Sequence, residues 1–73
     1  MATQIVMDHT GDSRHFFEKD DHKQLAEAER RFEKLTGLGF TAATRTEDGD
    51  LHAIRSFDPT AIETLFYPRL VGG

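Results

Sequence analysis

The sequence predicts an α+β domain with a ββαββ core, two hairpins flanking one packed helix. Three observations predict it. Asp21 stands three residues before Gln24, ahead of apolar residues at helical spacing, which marks a helix start. Two clusters of turn formers, Thr10-Gly11-Asp12-Ser13 and Glu47-Asp48-Gly49-Asp50, each separate runs with β character. The chain has 73 residues and no cysteine, so there is room for one helix on one small sheet and no disulfide to staple it.

In order, Thr3 to Asp8 is short, apolar and partly β-branched, and Arg14-His15-Phe16-Phe17 reads as its returning strand. Phe16 and Phe17 are adjacent, so on a strand they point to opposite faces and one of them is expected to be exposed. In the helix, Leu25, Ala28, Phe32 and Leu35 form the apolar stripe, Glu27, Arg30, Arg31, Glu33 and Lys34 cover the other side, and Glu27 precedes Arg31 by one turn in the favourable order for pairing. Gly37 is expected to end the helix in a left-handed conformation, with Leu38 folding back onto the last turn. The period then switches to two: Phe40, Ala42 and Thr44 alternate with Thr41, Ala43 and Arg45, as in a strand buried on one face. After the Asp48-Gly49 turn, Leu51, Ala53, Arg55 and Phe57 alternate with His52, Ile54 and Ser56 as the second hairpin's far strand.

From Asp58 two readings stand. Asp58 and Pro59 form a good cap and first helical residue, so Pro59 to Glu63 reads as at least one helical turn, which Ile62, Leu65 and Phe66 would continue at helical spacing. Alternatively Thr64-Leu65-Phe66-Tyr67 is a short strand after a turn. Pro68 ends either element, because it has no backbone N–H and restricts Tyr67 before it. Residues 1–67 are therefore expected to form one domain and 68–73 a flexible tail.

Composition narrows function. A formal net charge of −4, with basic residues spread out, argues against sequence-independent nucleic-acid binding. The segment from Met1 to Met7 has no basic lead into a long apolar run, so no signal peptide, no membrane span and a cytoplasmic location are expected. The segment Asp8-His9-Thr10-Gly11-Asp12-Ser13-Arg14-His15 is rich in polar groups, but these are the residues a hairpin loop demands, and Arg14 and His15 read as a partner contact rather than catalytic groups. His9, His15, His22 and His52, with Asp8, Asp12, Asp20 and Asp21, lack the spacing that places two metal ligands on one helical face. No cofactor, no metal and no catalysis by the chain itself are expected.

The chain closes on Arg69-Leu70-Val71-Gly72-Gly73. Two glycines carry no side chains, so a carboxylate on them sits on a thin thread that can enter a narrow channel. This ending is similar to the Arg-Leu-Arg-Gly-Gly of ubiquitin, and Phe66-Tyr67-Pro68 before it is similar to the aromatic and proline residues that precede Gly-Gly in the sulfur carriers of molybdopterin and thiamine synthesis. With a turn at Asp58 and a last strand at Leu65 to Tyr67, the element order resembles the β-grasp fold of ubiquitin-like proteins. The resemblance implies a small non-enzymatic modifier or sulfur carrier, adenylated by an activating enzyme at Gly73, with Gly72 leading into the channel, Leu70 and Val71 gripped, and Arg69 as a polar anchor. The chain departs from that pattern at Pro68, which stands where ubiquitin's final strand is still hydrogen-bonded, so the last strand is expected to be unusually short for a central member of a sheet. The alternative is a small interaction module or accessory subunit that binds a protein through its open sheet face or the 8–15 loop. Either reading expects a protein partner, and a monomer or a homodimer.

Overall fold

The computed structural model describes residues 1–46 and 48–68. The elements are β1 (Ala2–Asp8), β2 (Gly11–Phe17), α1 (His22–Gly37), β3 (Phe40–Arg45), β4 (Leu51–Ile54) and β5 (Glu63–Pro68). The strands form one five-stranded mixed sheet in the order β2-β1-β5-β3-β4, with α1 packed on one face. No helix among the described residues is long and apolar enough to cross a membrane.

The hairpin β1–β2 pairs antiparallel from Ala2↔Phe17 to Asp8↔Gly11, around a turn of only His9 and Thr10. Asp8 builds that turn, its carboxylate accepting from the Thr10 backbone N–H at 2.8 Å and from the Thr10 hydroxyl. Gly11 follows at φ +125°, a conformation that side chains rarely adopt. At the helix start, Asp21 accepts from the backbone N–H groups of Lys23 and Gln24, satisfying two of the first-turn donors. Gln24 donates to the Asp21 carboxylate and accepts from the Glu18 N–H, while the Asp21 N–H bonds the Glu18 carbonyl, so the reciprocal capping box is replaced by a tie to the preceding loop.

The helix end differs from expectation. Gly37 is still helical, Leu38 is the cap at φ −84°, and Gly39 supplies the left-handed residue at φ +102°. Leu38 is exposed instead of folding back. Two glycines bracket Leu38, and the one nearer β3 takes the turn because Phe40 must enter the sheet at once.

Past β4 the helical reading of residues 59–67 is overturned. Asp58 caps a turn at Pro59 and Thr60, accepting from the Thr60 N–H at 2.9 Å, and no helix follows. β5 then inserts between β1, which it meets parallel with Ile5↔Leu65 and Val6↔Phe66, and β3, which it meets antiparallel with Ala42↔Phe66 and Ala43↔Leu65. Leu65 and Phe66 are both buried, on opposite faces as neighbours in a strand must be, and pairing with β1 and β3 satisfies the strand's backbone groups from both sides. At six residues β5 is not short. Pro68 is tolerated because it falls at the strand's last position, opposite Phe40 and beyond the end of pairing with β1. The strand therefore runs one residue past the domain boundary that the sequence suggested.

The core lies between helix and sheet. Val6, Ala42 and Phe66 from the sheet meet Phe32 from the helix, with Leu35, Phe40, Ile54 and Phe57 half-buried around them. Ala2, Phe17 and Ala28 form a second cluster beside Leu25. Phe57, expected in β4, lies past its end and joins the two: its ring stands 6.5 Å from Phe17 and 5.8 Å from Phe32, and Phe32 stands edge-on to Phe66 at 5.7 Å. β3, expected to bury one face, buries both Ala42 and Ala43, since a methyl group between two flanking strands leaves little to expose.

Candidate functional site

Gly72, Gly73, Arg69, Leu70 and Val71 lie outside the described residues. What the structure describes is the element that carries them. Because β5 runs parallel to β1, its end at Pro68 lies at the end of the sheet where β1 turns through His9 and Thr10 and where β3 begins at Phe40. At this end Asp8 is held ionised: the Thr10 hydroxyl and then the Thr10 backbone N–H draw its carboxyl below the ordinary value.

Arg14 and His15, read from sequence as one contact, are split by the sheet. Arg14 is exposed on the face without the helix, opposite Ile5. His15 is half-buried on the helix side, opposite Gln4. Burial, with the Arg31 guanidinium as a smaller cause, lowers the His15 imidazole below its usual range and favours the neutral ring. The 8–15 segment is two strand ends joined by a two-residue turn, not an extended loop. By register Asp8, Ser13 and His15 share the helix-side face of the hairpin, where the Asp8 carboxylate is engaged by Thr10.

Gln4 is the polar residue that sequence reasoning passed over. It is fully buried, its amide donating 3.0 Å to the Ala28 carbonyl on the helix while its oxygen accepts from Arg31 at 2.7 Å. Arg31 thus crosses from helix to sheet, and the expected ion pair with Glu27 is not made among the described residues. The signal was available in the alternation Ala2, Gln4, Val6, which places Gln4 on the core side of β1 and demands a partner there.

Among the described residues the opposite face carries no element. Thr3, Ile5 and Met7 of β1, Asp12, Arg14 and Phe16 of β2, Glu63, Leu65 and Tyr67 of β5, and Thr41, Ala43 and Arg45 of β3 share it by strand alternation and register. Its centre, Ile5, Leu65 and Ala43, is buried by neighbouring strands, while Phe16 is 60% and Leu51 50% exposed at its margins. At one end Arg45 and Glu63 pair at 3.1 Å beside a shallow depression of about 480 Å³ that Thr44, Asp58, Thr60 and Ile62 also line. Among the described residues no three His, Asp or Glu side chains stand together as metal ligands. The arrangement offers an apolar strip with charged margins and a central strand that ends at Pro68. No family model, curated protein or solved structure matches this chain.

Proposed function

We propose that this protein is a ubiquitin-like modifier or sulfur carrier of the β-grasp class, activated at the carboxylate of Gly73. The observation that carries the reading is the place of β5: central, parallel to β1, antiparallel to β3, and followed directly by Arg69-Leu70-Val71-Gly72-Gly73. A carrier of this kind needs a rigid body that docks and a slender segment that threads. A strand held by two neighbours is the stiffest available base for that segment. Pro68 supports the same division, because it closes the sheet pairing one residue before the tail begins.

In this reading the activating enzyme joins the Gly73 carboxylate to the α-phosphate of ATP, releasing pyrophosphate, and a sulfur or amine nucleophile then displaces AMP. Leu70 and Val71 are the side chains gripped by that enzyme, and Arg69 is the polar anchor. Gly72 and Gly73 are required because any Cβ would widen the thread.

The test is intact-mass and peptide mass spectrometry of the protein recovered from its own cells. A Gly73 thiocarboxylate, or Gly73 joined to a lysine side chain, is expected, and both disappear when Gly72 and Gly73 are deleted while the circular dichroism spectrum is unchanged. Recovery of unmodified protein alone, from both forms, overturns the reading.

A further inference from the structure

We propose that β2 is a self-association edge, along which two copies of this chain pair antiparallel about a twofold axis at Ser13, joining two five-stranded sheets into one. The inference does not depend on Gly72 and Gly73.

β2 closes one side of the sheet and is seven residues long, without proline and in unbroken register with β1. The Thr3 N–H donates 2.8 Å to the Ile62 carbonyl, so the odd-numbered residues of β1 turn their backbone groups toward β5. The even-numbered ones then bond to β2, through Phe17, His15, Ser13 and Gly11. Asp12, Arg14 and Phe16 are left to point their N–H and C=O groups away from the sheet. Natural edge strands are usually blunted by short length, proline, a bulge or a covering element. The opposite edge, β4, is four residues long, whereas β2 has only its charges.

Those charges are self-complementary. Asp12 and Arg14 are both exposed, lie on the uncovered face, and carry opposite signs two residues apart. Among the described residues neither takes part in an ion pair. In an antiparallel pairing the outward backbone groups must face one another, so the axis has to pass through a residue, not between two. An axis at Ser13 sets Asp12 opposite Arg14 of the partner subunit, twice over, and Phe16 opposite Thr10 of the partner subunit. Moving it to Asp12 or to Arg14 opposes that residue with its own copy, and moving it to His15 sets Asp12 against Glu18 of the partner subunit. Like charges directly opposed destabilise a sheet pair, and an axis at Gly11 or Phe16 leaves three or fewer residues of each strand facing, so one register remains. Five residues of each strand face each other in it, which places the contact at the small, reversible end of specific interfaces.

Sedimentation velocity of the full chain, from micromolar to millimolar concentration, tests the assignment. The wild type is expected to shift toward twice the monomer mass as concentration rises. Asp12→Arg alone and Arg14→Asp alone should each remain monomeric, and the double variant D12R/R14D should dimerise again, because the swap restores both pairs. Both positions are exposed, and circular dichroism reports whether each variant folds. A wild type that stays monomeric at millimolar concentration overturns the proposal. So does a dimer indifferent to the single reversals, or a folded double variant that fails to recover association.

Discussion

Leu65 and Phe66 are neighbours on the central strand, face opposite sides of the sheet, and are almost equally inaccessible at 7% and 0%. What covers them differs. Phe66 is sealed by a second layer, with the Phe32 ring from the helix edge-on to it and Phe57 behind. Among the described residues Leu65 has no layer above it, and Ile5 and Ala43 flank it in register. Accessibility alone would rank the two as one core. The difference is how far the surroundings can respond to a lost side chain: a sealed site keeps the cavity, while a site at an uncovered face admits water or rearranged neighbours.

The sharpest break in that comparison is Phe66→Ala against Leu65→Ala. The first should cost about 3–5 kcal/mol and the second about 2 kcal/mol, the low end for such truncations. A domain this small rarely holds more than about 3–5 kcal/mol in all. Urea titration followed by circular dichroism should therefore find Phe66→Ala unfolded without denaturant and Leu65→Ala folded with a lower midpoint. Equal losses would mean that the two faces are equally closed.

A smaller effect separates the faces by pH. His15 lies on the helix side with its folded pKa lowered, by burial first and the Arg31 charge second. The unfolded chain therefore takes up the proton more readily. Stability should be level above the ordinary imidazole value of 6.5 and decline as pH falls from there through the lower folded pKa. His15→Gln should flatten this segment of the profile, measured as urea midpoints from about pH 8 down to about pH 5. An unchanged slope would place the proton uptake elsewhere.

The smallest effect belongs to the uncovered face. Phe16→Ser should change stability by no more than about 0.5 kcal/mol, because Phe16 already spends most of its surface in water. A loss several times larger in dilute monomer would mean that this face is packed in solution.

The order of the elements before Asp58 was legible from sequence for local reasons, while the helix end and the end of β4 were not. Asp21 and Gln24 announce the helix start by side-chain hydrogen bonding within one turn, and the Phe16–Phe17 split follows from strand alternation. Residues 59–67 were not legible, because Pro59 favours a helix start while Leu65 and Phe66 suit both periods, and nothing nearby in sequence decides between them. Of the candidate site, Arg14 and His15 were named as residues but not as opposite faces, since that depends on which side the helix lands. The core-side place of Gln4 was legible in the alternation of β1, but its partners, Ala28 and Arg31, 24 and 27 residues away, were not.

The sequence by itself determined the turn of the first hairpin, the helix and its N-cap, the alternation of β1, and the glycine pair at positions 72 and 73, each fixed by residues within a few positions of one another. Tertiary structure alone decided that residues 63–68 form a strand, that it runs between β1 and β3, and which sheet face the helix covers. Those choices rest on contacts between distant segments. The backbone groups of β5 and both of its buried side chains can be satisfied together only once β1, β3 and the helix are already in place to receive them.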